Sequence, residues 1–294
     1  MRYATAAAFR QALDDRLKSE AARTGLPLAR LRKQVAFELF LRRLVAIAPD
    51  RFVLKGALAL ELRLKATTRP TRDIDLGRDD DEQAAIEDIT AAQQLVLNDF
   101  FTYVAIRTDE LDQTDEFAAV RFHLTAQLAG RTFEQFTLDI GFTDTIPAHP
   151  DAIRTSDLLA FAGIDPIELP TLPLAQHLAE KVHAYTRSYG ASERRSTRPK
   201  DLVDILLIAA SEPIDAKALR TALETTFSER RRHELPSSLP APPSDWAAPY
   251  SRLAIDVSVD AELMAAFTRA AAFLDPILAG RSAGTWDAAR ERWS

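Results

Sequence analysis

Two aspartates separated by one apolar residue, Asp73-Ile74-Asp75, are the residues of this chain best arranged to do chemistry. Side chains alternate along an extended strand, so both carboxylates project from the same face. Like charges so placed repel unless a cation lies between them. Magnesium is the first candidate, with manganese as the alternative, because such an ion takes one or two carboxylates and leaves its other positions to phosphate and water. Taken alone, the pattern also fits a solvated strand face or an Asx turn. Its surroundings favour the metal reading. Arg51 to Leu54 reads as a short strand that turns at Gly56 and Ala57 into an apolar helix through Leu58, Leu60, Leu62 and Leu64. Free N–H groups at such a helix start form an anion site.

Three further charged residues stand out against apolar neighbours. Val120–Leu128 and Phe136–Phe142 both alternate, around a turn at Ala129-Gly130-Arg131, and read as a hairpin. Asp139 is the only acid of its strand, on the face opposite Leu138 and Ile140, where it can stand beside Asp73 and Asp75. Lys181 falls within the apolar stripe Leu174, Leu178, Val182 and Tyr185 of a helix spanning about 174–187. A lysine there either snorkels outward or meets an anion. Asp204 lies on the next apolar helix, sharing a face with Lys200 and Asp201, and needs a cationic partner such as Lys181 or Lys200.

The elements that must position these groups follow from periodicity and punctuation. Helices are predicted over 6–23, 28–47, 82–101, 216–232 and 260–278, with Asp79-Asp80-Asp81 read as capping the third. A strand is predicted over 102–108, then an acidic loop. The predicted strands all fall within residues 1–150 and the sequence after Pro150 reads as helical, so the expectation is an α+β chain: a sheet domain with N-terminal helices over 1–150, then a mainly helical domain over 151–294 that completes the site. The prolines between Pro236 and Pro249 read as an extended connector.

Composition limits the function classes. The 294 residues are 47% hydrophobic and 27% charged, a globular balance, and no apolar run approaches a membrane span. There are no cysteines, which excludes disulfides and thiolate metal sites and suggests a cytoplasmic location. At a net charge of -6, a phosphate-rich partner must be met by local basic patches. The candidates are the loop from Arg187 to Lys200 and the cluster Arg230-Arg231-Arg232.

The joint pattern resembles the AbiEii/MenT nucleotidyltransferase toxins of the polymerase β-like superfamily. It is carried in order by Leu54-Lys55-Gly56-Ala57, by Arg69-Pro-Thr-Arg-Asp-Ile-Asp-Leu76, by Leu178-Ala-Glu-Lys-Val-His-Ala184 and by Lys200-Asp-Leu-Val-Asp-Ile-Leu-Leu207. Ala57 departs from the family, which usually has a second glycine there. The resemblance implies a polymerase β-like mixed sheet flanked by helices and followed by a mainly helical C-terminal region. It implies that Asp73 and Asp75 hold divalent metal, with Asp139 as a third carboxylate, and that Lys181 and Asp204 are the other catalytic positions. Gly56, Ala57, Arg69 and Arg72 would grip the nucleotide phosphates. The implied reaction is transfer of NMP from an NTP to the 3′ end of tRNA, which blocks aminoacylation, with a cognate antitoxin as partner. Two alternatives remain open. One is a nucleotidyltransferase acting on a protein or a small molecule, and the other is a nucleotide-binding toxin without transfer activity. A phosphate on Thr71 would compete for the metal, making it a possible control point.

Overall fold

The computed structural model covers the 294 residues. It describes all but 66–68, 70, 109–118, 143–148, 190–193, 196–197, 258 and 282, and the side chains of 119, 188, 189, 194 and 195. The acidic loop expected after the strand at 102–108 lies outside the described residues, as does most of the basic loop before Pro199. The chain divides into two compact units: residues 1–66 with 70–172, and residues 173–294 with 67–69.

The first unit is built on a seven-stranded mixed sheet. Helix α1 (Ala6–Thr24) starts where the Thr5 hydroxyl accepts from the Ala8 N–H, and stops at Gly25 in the left-handed region. Helix α2 (Leu28–Ile47) follows, then strand β1 (Val53–Lys55), helix α3 (Gly56–Leu64), strand β2 (Asp73–Gly77) and helix α4 (Glu82–Gln94). Strands β3 (Phe101–Thr108), β4 (Ala119–Leu128), β5 (Arg131–Gly141), β6 (Asp151–Arg154) and β7 (Glu168–Thr171) complete the unit. The spatial order is β3-β4-β5-β2-β1-β7-β6. Strands β2 and β5 pair in parallel, as do β1 and β7; the other contacts are antiparallel.

Alternation sorts the sheet into two faces. Leu54, Ile74, Leu138 and Phe122 point into the core, with α2 laid over them through Phe37 on Phe136 and Phe40 on Tyr103. The intervening residues, among them Asp73, Asp75 and Asp139, occupy the other face.

Two expectations change here. Helix α4 ends at Gln94, seven residues before the predicted end. The cause is Arg43 of α2, fully buried, whose two terminal nitrogens donate to Asp99 at 2.8 and 2.7 Å and to the Phe101 carbonyl at 2.8 Å. A buried guanidinium needs its carboxylate, and holding Asp99 there requires the chain to leave the helix. Second, the expected boundary at 150/151 falls two strands early. Residues 151–171 contribute β6 and β7 to the sheet, and each is only four residues long, with Pro170 interrupting the pattern.

The second unit is mainly helical: α5 (Leu174–Thr186), α6 (Pro199–Ser211), α7 (Ala216–Arg230), α8 (Ala247–Asp256) and α9 (Leu263–Leu278). The two-residue strands β8 (Ser188–Tyr189) and β9 (Arg194–Arg195) form a hairpin. Strands β10 (Ile214–Asp215), β11 (Thr285–Asp287) and β12 (Arg292–Trp293) form a small sheet, with Trp286 donating to the Ala209 carbonyl and packing on Phe273. Helix α8 arises within the predicted extended connector, since Pro249 sits in its first turn, where a missing N–H costs nothing. Among the described residues, no helix is long and apolar enough to cross a membrane.

Candidate active site

The polar face of the first unit carries one continuous row of charge. Arg121 on β4 pairs in register with Asp139 on β5, Asp139 with Asp75 on β2, and Asp75 with Lys55 on β1. Directly opposed residues share a face, so the row reads plus, minus, minus, plus across four strands. Asp73 lies one pleat further along, opposite Thr137. The Thr71 hydroxyl donates to the Asp73 carboxylate at 2.8 Å and is largely buried in doing so.

Asp75 is seated by a glycine. Gly56 has φ +68°, and a Cβ built on it would come within 1.7 Å of Asp75 Oδ2. The residue must be glycine on both counts: a left-handed backbone and the space its missing side chain leaves to the carboxylate. Helix α3 begins at this point with no side-chain cap hydrogen bond. Ala57 is buried, which limits its contribution to backbone. Arg72 is exposed and makes no ion pair among the described residues.

Asp139 is engaged by a side chain of β4. Arg121 grips it with both edges of its fork, Nε to Oδ1 at 2.7 Å and a terminal nitrogen to Oδ2 at 2.6 Å. Among the described residues, no group of three or more His, Cys, Asp or Glu side chains is gathered to hold a metal. The Asp73–Asp75 pair nonetheless has the hard oxygen donors that suit a divalent cation whose other positions go to phosphate and water.

In the second unit, the residues expected to carry charge on apolar helices meet one another. Lys181 Nζ of α5 lies 2.8 Å from Asp204 and 3.5 Å from Asp201, both on α6. Arg69 reaches Asp204 through two nitrogens at 3.1 and 3.2 Å, and Arg198 pairs with Asp201 at 2.9 Å. Five charges thus alternate in sign from Arg69 to Arg198, with Asp201 and Asp204 essentially inaccessible. Lys200 takes no part in these pairs. Burial alone would push the Asp204 carboxyl up, but Lys181 and then Arg69 hold it down to about 2. Burial alone would lower Lys181, and Asp204 and Asp201 reverse this, holding its ammonium above the ordinary lysine value. Lys181 is therefore a fixed cation, and Asp204 a poor proton acceptor at neutral pH.

With that geometry in view, comparison with known proteins is decisive. The sequence pattern of the family described as nucleotidyl transferase AbiEii toxin, type IV toxin–antitoxin system, matches residues 39–292. The chain belongs to the AbiEii nucleotidyltransferase toxin family. No curated protein matches it significantly in sequence. Its fold is similar to that of MenT4, a nucleotidyltransferase toxin from Mycobacterium tuberculosis H37Rv. The two are 17% identical, the match covers 91% of this chain and 98% of that one, and the TM-score is 0.55. JHP933 from Helicobacter pylori is matched at 16% identity over 83% of this chain and 90% of that one, with a TM-score of 0.45. AbiEii membership implies an NTP substrate and an antitoxin partner, and nucleotidyltransferases of this superfamily generally depend on a divalent metal.

Neither Arg121 nor Lys55 is marked as a site residue by sequence pattern; strand register alone brings them onto the charged row. Arg69, expected at the nucleotide phosphates, places Nε and one terminal nitrogen on Asp204.

Proposed function

We propose that this AbiEii-family chain transfers NMP from an NTP to the 3′ hydroxyl of an RNA, tRNA being the acceptor the family resemblance implies. The observation that carries the reading is the Asp73–Asp75 pair on one strand face, with Gly56 cleared to admit the Asp75 carboxylate. In the reaction an acceptor hydroxyl oxygen forms a bond to the α-phosphorus. The bond between that phosphorus and the α,β-bridging oxygen breaks, pyrophosphate leaves, and the hydroxyl proton passes to solvent. A divalent cation held by Asp73 and Asp75, magnesium or manganese, would neutralise phosphate charge and polarise the reacting oxygens.

The chain's own groups divide the remaining work. Thr71 orients the Asp73 carboxylate before substrate arrives, and Gly56 leaves the space that the Asp75 carboxylate occupies. N–H groups at the start of α3 and the exposed Arg72 are the phosphate contacts of the sheet unit. Lys181, locked as an ammonium, acts on phosphate charge and not as a base, while Arg69 and Asp204 hold it in place. Arg194 and Arg195, with the exposed Arg231 and Arg232, are the RNA backbone contacts of the reading. Arg198 is withdrawn from that group because it pairs with Asp201.

The experiment is a charge swap of Arg194, Arg195, Arg231 and Arg232 to Glu, assayed for labelled NMP incorporation across salt concentrations. Loss of incorporation into RNA with NTP binding intact is expected, since each lost phosphate contact lowers affinity and flattens its salt dependence. Unchanged incorporation into RNA, or incorporation only into protein or a small molecule, overturns the choice of acceptor.

A further inference from the structure

The Arg121–Asp139 pair lies on the charge row, yet the proposed reaction leaves it unused. Both oxygens of Asp139 are engaged by one guanidinium, the bidentate geometry in which an arginine competes best for a carboxylate. Arg121 and Asp139 are 28% and 18% exposed at their side chains, so solvent screens the pair only in part. Along the four-strand row the formal charges of Arg121, Asp139, Asp75 and Lys55 sum to zero. With Asp73 one pleat away the face carries a formal charge of only -1, so Arg121 and Lys55 offset most of the carboxylate charge that would draw in a metal.

We infer that Arg121 is a positioning residue that acts through Asp139: it serves as a built-in counter-cation, withholds that carboxylate from divalent metal, and keeps the nucleotide-free site weak for the ion. The metal then enters together with the NTP, whose phosphates supply the oxygens that Asp139 does not. This inference rests on the reading of Asp73 and Asp75 as the metal pair.

The test is manganese titration of the full-length protein, free Mn2+ being read by its electron paramagnetic resonance signal. Variants are R121Q, R121K, the double variant R121Q/D139N, and D75N, each checked for folding by circular dichroism. Titrations are run without nucleotide and with each NTP in its non-hydrolysable α,β-methylene form. The wild type is expected to bind Mn2+ weakly alone and more tightly with nucleotide. R121Q should bind Mn2+ alone about tenfold more tightly, and D139N in the same chain should cancel that gain. R121K, which keeps the charge but loses the fork, should fall between, and it carries the test if R121Q fails to fold. A merely structural role would not raise metal affinity. If neither Arg121 variant binds Mn2+ more tightly than wild type, or if the gain survives D139N, the inference is overturned while the reading of Asp73 and Asp75 stands. If Mn2+ does not bind even with nucleotide, or D75N leaves that binding intact, the underlying reading fails instead.

Discussion

At the residue scale, the chemistry rests on side chains held by specific neighbours, and substitutions should separate function from folding. Asp73→Asn or Asp75→Asn removes one of two adjacent like charges, so thermal stability should hold or rise slightly. Labelled NTP incorporation should fall by roughly three orders of magnitude. Gly56→Ala should do the reverse of a silent change: its Cβ would enter the space of Asp75 Oδ2 at 1.7 Å, on a backbone at φ +68°. Activity should be lost along with about 1–2 kcal/mol of stability from the left-handed backbone, measured by denaturant unfolding. Lys181→Met leaves Asp201 and Asp204 facing an apolar group in a buried site. A cost of about 3–5 kcal/mol is expected, partly recovered in K181M/D204N without recovery of activity. Equal stability of the single and double variants would show that the pair is not coupled.

At the element scale, a β-bulge decides what the sheet can present. The β4–β5 hairpin turns through Ala129 and Gly130, both at positive φ, and starts with Leu128 opposite Arg131. A straight ladder from that turn would set Arg121 opposite Leu138. The register shifts between Ala126 and Gln127, leaving Phe133 as the extra residue, and Arg121 meets Asp139 instead. Arg32 fixes the bulge, stacking its guanidinium 4.1 Å from the Phe133 ring centroid and donating to the Phe133 carbonyl at 2.8 Å. Deleting Phe133 should therefore part Arg121 from Asp139 and, like R121Q, tighten Mn2+ binding without nucleotide, while α5 and α6 keep their amide exchange protection. Strand alternation and helix spacing made Asp73, Asp75, Asp139, Lys181 and Asp204 legible from sequence. Arg121 was hidden because pairing partners depend on a bulge, and the one hint was that Phe133 and Phe136, three apart, are both buried. The early end of α4 was hidden for a similar reason: its cause, Arg43, lies 56 residues from Asp99.

At the scale of the whole molecule, three titrating groups give stability a worked pH dependence. Asp204 is held at about 2 when folded, below its ordinary 3.8. Its contribution is present above the unfolded value and is lost as pH falls from about 4 toward 2, so D204N should lack that acid limb. Lys181 is raised, so its contribution is present below the unfolded lysine value and fades only as pH rises through the folded one. Glu38 of α2 runs the other way: burial pushes its carboxyl up to about 7, against hydrogen bonds from Thr155 and Ser156 and the nearby Arg42. The folded protein holds that proton where the unfolded chain has lost it. Stability should fall by roughly 3 kcal/mol between pH 4.5 and 7 on this account, and E38Q should flatten the decline in thermal unfolding scans.

The central claim is nucleotidyl transfer on the Asp73–Asp75 face. Its most direct measurement is incubation of the purified protein with total tRNA, magnesium and each labelled NTP in turn, beside an Asp73→Asn control. Label should appear at RNA 3′ ends with the wild type and at least one NTP, and not with the control. Label retained by Asp73→Asn, or absent from RNA with all four NTPs, would contradict the account.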